Sequence, residues 1–221
     1  MKTYTIHQKM SLGEIVSAVP KSADILKNYK IDFCCGGHRS LEEAAYEKGM
    51  NPETLIGEIN GCQKETNYAD TTDFTQLDNE KLIIHIINTH HSYLNEQLPF
   101  ISRLASAVLR AHGKAHPELY DLYKDFHKLK TELEQHLIKE EAILFPAILS
   151  NQEEAKCLLE VQDEHEVAGD ILGKLREHSQ DYTVPAGGCE SYEKLYQLLE
   201  ALESDIFQHV HLENNILFKR L

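Results

Sequence analysis

Two stretches of the chain repeat one phrase, QHLIKEEAILF at 135–145 and QHVHLENNILF at 208–218. Each places a His and, four residues on, a Glu on an otherwise apolar helical stripe: His136 with Glu140, and His209 with Glu213. Residues four apart share a helix face. Burying a carboxylate is costly unless it is paired, and a metal ion pairs with imidazole and carboxylate together. Two more histidines, His91 and His165, stand singly on apolar stripes. His91 and His136 lie 45 residues apart, and His165 and His209 lie 44 apart. From His91 to His165 is 74 residues, and from His136 to His209 is 73. One helical hairpin is written twice, giving His from its first helix and His-x3-Glu from its second. A lone His on such a stripe is usually a hydrogen-bonded core residue. Four in register with two Glu are the inventory of a dinuclear site, with two imidazoles per ion and two carboxylates between the ions. Spacing alone does not fix the bridge.

Mixed imidazole and carboxylate donors in a helical bundle suit iron or manganese better than structural zinc, which favours thiolates. Such a set leaves room at each ion for a bridging oxo or hydroxo group and one small ligand. That points to oxygen, nitric oxide or metal release rather than to a large substrate.

The elements that must position these residues are helices. Ser11-Leu-Gly-Glu14 and Ser40-Leu-Glu-Glu43 are capping boxes, and Asn51-Pro52 is an N-cap with Pro at the first helical position. Residues 61–76 are polar and patternless and read as a linker. Beyond them, four long amphipathic stripes follow. The first holds Ile84, Ile87, His91, Leu94, Leu98, Ile101 and Val108, and the second Leu122, Phe126, Leu129, Leu133, His136, Glu140 and Ile143 or Leu144. The third holds Leu158, Val161, His165, Ala168, Leu172 and Leu175, and the fourth Leu195, Leu198, Leu202, Ile206, His209, Glu213 and Ile216. The expectation is an all-α protein. A small helical N-terminal domain (1–60) and the linker (61–76) precede an antiparallel four-helix bundle (77–221).

Composition narrows the function. With 36 acidic and 22 basic residues the formal net charge is −14, which argues against nucleic acid and anionic membrane as partners. No apolar run approaches a membrane span, and MKTYTIHQKM lacks the apolar core of a signal peptide, so a cytoplasmic protein is expected. Five scattered cysteines do not form a disulfide framework. His85, His90, His112, His116, His127 and His178 fall beside the stripes or in turns and are read as solvated; His211 lies off the His209–Glu213 face. Glu132, one turn before His136, and Glu164, beside His165, are candidates to orient a ligand imidazole from outside.

The chain resembles the Repair-of-Iron-Centres family, di-iron iron–sulfur cluster repair proteins with a hemerythrin-like domain. The resemblance rests on His91 before NEQLP, His136-x3-Glu140 before EAILFP, and DEHEVAG around His165. It rests also on His209-x3-Glu213 in HVHLENNILF and on DFCCGG in the first 60 residues. It implies that His91, His136, Glu140, His165, His209 and Glu213 bind two iron ions, in an oxo- or hydroxo-bridged non-haem centre with Glu140 and Glu213 as bridges. The chain departs from the pattern at ILFKRL, where many relatives have Pro after Phe.

The implied function is repair of, or iron supply to, clusters damaged by nitrosative or oxidative stress, with iron–sulfur proteins as clients. Two alternatives stand beside it: a di-iron nitric oxide reductase forming nitrous oxide, and a hemerythrin-like module binding oxygen or nitric oxide. A homodimer is left open. Cys34 and Cys35 read as redox or iron-transfer thiols, against the plainer reading that they pack in a small domain. The glycines after them let a partner approach closely.

Overall fold

The structure, a computed structural model, describes residues 4–65, 72–152 and 155–221. It is helical throughout, and among the described residues the one extended pairing is an isolated antiparallel bridge between Ser11 and Ser40. The chain divides into two units: Met1–Leu82 with Phe207–Leu221, and Ile83–Ile206.

The first unit contains α1 (Leu12–Ala18), α2 (Ser22–Asn28), α3 (Leu41–Glu47) and α4 (Pro52–Glu65). Ser11 and Ser40 start α1 and α3 as full capping boxes. Each hydroxyl accepts from the backbone N–H of Glu14 or Glu43, and each of those carboxylates accepts back from the cap N–H. These hydrogen bonds hold both carboxyls below the usual carboxylate range. Asn51 Oδ1 accepts from Glu53 N at 3.0 Å, which caps α4 ahead of Pro52. The core gathers Leu12, Ile15, Leu26, Phe33, Leu41, Leu55 and Ile59, all 2% exposed or less. The segment read as a linker begins inside a helix: residues 61–65 close α4, and Phe74–Gln76 form a 3-10 turn. Residues 66–71 lie outside the described residues.

α5 (Asn79–Ile86) leads into the second unit, which contains α6 (Ser92–His112), α7 (Glu118–Lys139), α8 (Phe145–Leu149) and α9 (Ala155–His178). The part of α10 (Glu190–Leu212) up to Ile206 completes an antiparallel four-helix bundle with α6, α7 and α9. Its axis is packed with Leu98, Ile101, Phe126, Leu129, Val161, Leu172, Leu195 and Leu202. Side chains also tie the helices: Arg176 donates to buried Glu203 at 3.1 and 2.7 Å, and His178 meets Asp125 at 3.1 Å. Among the described residues no helix is long and apolar enough to cross a membrane.

Three of the long helices contain a π turn, at Ile87–His91, Glu140–Leu144 and Glu213–Leu217. Two of these open on the Glu of the repeated phrase, 73 residues apart, and the third ends on His91. A π turn inserts one residue and shifts the buried stripe. This corrects the expected stripe of α5: Ile84 is 49% exposed, while Ile83 and Ile86 are buried and the stripe resumes at His91 and Leu94. Ser92 Oγ donates to the Ile87 carbonyl at 3.1 Å, beside the Ser92 backbone N–H that donates to the same oxygen.

Candidate metal centre

Within the second unit one carboxylate collects three imidazoles. Glu140 has no solvent exposure. Its Oε2 lies 3.3 Å from His91 Nε2 and 3.3 Å from His136 Nε2, and its Oε1 lies 4.0 Å from His165 Nε2. His136, Glu140 and His165 offer ligand atoms within 4.8 Å of one another. The Nε2 atoms of His136 and His165 are 3.1 Å apart. That is close to the ~3.0 Å separating two nitrogens at right angles about an ion with bonds of about 2.1 Å.

Carboxylates outside the core set the direction of two rings. His91 Nδ1 donates to Glu141 at 2.8 Å and His136 Nδ1 donates to Glu164 at 3.0 Å. An ionised carboxylate only accepts, so Nδ1 carries the proton and the Nε2 lone pair points inward at Glu140. His136, aided by Lys139, holds the Glu164 carboxyl down to about 2. Phe145 stacks on His91 with centroids 5.7 Å apart and shields that side. In the first unit His209 Nε2 lies 3.0 Å from Glu213 Oε1, and both residues are buried.

Two models of known families match the chain: ScdA_N, a domain of unknown function, over residues 8–63, and the hemerythrin HHE cation-binding domain over residues 82–221. A probable iron–sulfur cluster repair protein of Haemophilus influenzae is 34% identical over 96% of both chains. The iron–sulfur cluster repair protein ScdA of Staphylococcus haemolyticus is 33% identical over 95% of this chain and 96% of its own. The iron–sulfur cluster repair protein YtfE of Yersinia pestis is 31% identical over 97% of both. The chain belongs to the Repair-of-Iron-Centres family.

The family's DFCCGG motif forms a tight loop in the first unit of this Repair-of-Iron-Centres protein. Asp32 Oδ1 accepts from Cys34 N at 2.9 Å and from the Cys34 thiol at 3.1 Å, and Oδ2 accepts from Gly36 N at 2.8 Å. The two sulfurs are 3.9 Å apart, both thiols free. The hydrogen bond to Cys35, burial and the Asp32 charge push the Cys34 thiol well up; Cys34 is buried, and Cys35 is the more accessible sulfur.

Of the two outer carboxylates expected, Glu164 orients His136, while Glu132 makes no hydrogen bond to a ligand imidazole among the described residues. Glu141 does that work for His91, although it sits a further residue round the helix and is 43% exposed. Helical phase could not reveal it, because its partner lies 50 residues away. His90 is not solvated: it is 6% exposed and pairs with Asp205 at 2.9 Å. The π turn rotates it inward beside His91. His211 lies off the His209–Glu213 face, yet it too is buried.

Proposed function

We propose that this protein holds two iron ions on His91, His136, His165, His209, Glu140 and Glu213, and supplies iron to damaged iron–sulfur clusters. The observation that carries the reading is Glu140: a carboxylate without solvent exposure, faced by three imidazoles, two of them aimed by outside carboxylates. All six residues lie in the segment matched by the cation-binding model, and the relatives are named for cluster repair. Glu140 and Glu213 are assigned as bridges, since each opens a π turn at the same place in the duplicated phrase.

A bound iron pair supplies a store of metal that can be reduced and released. The chain's residues make that store selective and labile. Nε2 donors and carboxylates favour iron over soft ions, and Glu141 and Glu164 fix the ring tautomers. Phe145 and the apolar bundle keep water away. Cys34 and Cys35 act at hand-over, in an N-terminal domain of residues 1–60 that serves the bundle domain at 77–221.

The test mixes iron-loaded protein with an apo iron–sulfur protein, sulfide and thiol, and follows cluster absorbance and the iron left behind. Cluster formation matched by iron loss is expected. Full retention of iron, with clusters forming no faster than with an equal amount of metal-free protein, would overturn the reading.

A further inference from the structure

Counted from the residue just before each repeated phrase, the two copies differ along one face that does not carry the proposed ligands. Glu134, Ile138 and Ala142 of the first copy correspond to Phe207, His211 and Asn215 of the second, each pair 73 residues apart. In each copy the three recur every fourth residue and form one outer face. In the first copy that face meets solvent: Ile138 is 68% exposed. In the second it is a platform for the DFCCGG loop. Phe207 and His211 set their rings edge-on to Phe33 with centroids 5.7 and 6.0 Å away, and His211 Nε2 lies 3.4 Å from Ser17 Oγ.

Asn215 makes the closest contact. Its Nδ2 donates to the Cys34 carbonyl at 2.9 Å and reaches the Phe33 carbonyl at 3.4 Å. It is 9% exposed and fills a slot between α1 and the loop. A Cβ on Gly37 would stand 2.5 Å from Asn215 Oδ1, and one on Gly13 would stand 2.2 Å away. The second glycine of DFCCGG is therefore there to admit Asn215. The amide lies two residues beyond Glu213, within the same π turn Glu213–Leu217. His209 and Glu213 take one face of this helix end, and His211 and Asn215 take the other.

We infer that Asn215 is a positioning residue. It holds Cys34 and Cys35 from the turn that carries Glu213, so a change at Glu213 when metal binds or leaves is passed to the thiols. The coupling rests on the proposed ligand role of Glu213; the positioning does not. Coupling between two sites is reciprocal, so thiol state feeds back on metal retention.

The experiment measures alkylation of Cys34 and Cys35 by iodoacetamide in the full chain, metal-free and iron-loaded, with exposed Cys189 as internal reference. In metal-free protein Asn215→Ala removes the buried hydrogen bond and raises Cys34 alkylation roughly tenfold. Gly37→Ala raises it as well by expelling the amide. The double variant Gly37→Ala with Asn215→Ala reacts more slowly than Gly37→Ala alone, because the new methyl occupies the emptied slot. In wild type, iron loading shifts the Cys35 rate about fivefold or more; in Asn215→Ala it does not, at equal iron content.

An unchanged Cys34 rate in metal-free Asn215→Ala overturns the positioning role. If that variant does not fold, a Gly37→Ala rate equal to wild type overturns it instead. An equal iron response in wild type and Asn215→Ala overturns the coupling. If neither protein takes up iron, the metal reading and the coupling fall together, and the metal-free rates still decide the positioning role.

Discussion

The two copies of the repeated phrase are alike on the face that carries His and Glu and differ in what covers the opposite face. His136 and His209, Glu140 and Glu213, Leu144 and Leu217, and Phe145 and Phe218 are all buried, and both Glu residues open a π turn. Outside, Ile138 and Ile143 are 68% and 50% exposed, whereas their counterparts His211 and Ile216 are 2% and 6% exposed. One inner pattern thus serves two environments. The His-x3-Glu face is kept in both copies, and the outer face of the second copy also seats the cysteine loop.

The sharpest way to break the inner likeness is at the carboxylates. Glu140→Leu and Glu213→Leu are each expected to lose both irons, because a bridge screens the repulsion between the two cations. Metal-free Glu140→Leu should melt at or above the wild-type temperature, since an apolar residue replaces a buried carboxylate that lacks its ion. Iron analysis beside thermal unfolding checks this. A variant that keeps two irons removes its Glu from the bridging role.

Next in size is the outer support of the imidazoles. Glu164→Gln should weaken iron binding by roughly 10–100-fold, and Glu132→Gln should leave it unchanged. Competition with a chromophoric chelator distinguishes them. Equal losses would show that charge near the bundle, not aim of the His136 ring, is what matters.

The outer faces are compared by removing one residue from each. His211→Ala strips a ring from a buried site against Phe33 and Ser17, and is expected to cost about 1–3 kcal/mol in urea unfolding of the metal-free protein. Ile138→Ala, at the corresponding exposed position, should stay within about 0.5 kcal/mol. Similar costs at both positions would mean that the second copy's face is not a specialised platform.

The smallest effect is an acid one. Glu14 closes the capping box of α1, and α1 carries Gly13, one wall of the Asn215 slot. Its folded-state carboxyl is held below the ordinary value. The cap's contribution is therefore present above the ordinary carboxylate pKa and is lost as pH falls through the lowered value. Glu14 is largely solvent-screened, so the contribution is modest. Hydrogen exchange should show α1 amides opening on acidification before those of mid-α7. Simultaneous opening would remove the cap from any role in seating the loop.

Much of this was legible in the amino-acid order. The His-x3-Glu pairs, their 73-residue repeat and the capping serines are local or periodic signals, and helical periodicity turns them directly into faces and starts. Three kinds of fact were not legible. The π turns shift register by one residue, which put Ile84 outside and His90 inside, and hydrophobic spacing does not announce them. Of the carboxylates that hydrogen-bond the imidazoles, Glu164 was a candidate from the amino-acid order but its partner His136, 28 residues away, was not, and Glu141, whose partner lies 50 residues away, was missed altogether. Asn215 looks like a polar residue near a helix end, and its burial depends on Gly13 and Gly37 leaving room from far earlier in the chain. Sequence alone determined that His136 and Glu140, and His209 and Glu213, share a helix face, because an α-helix repeats one geometry wherever no π turn interrupts it. Tertiary structure decided which side chains orient them and what occupies the outer face, because those depend on contacts between segments that the chain order does not bring together.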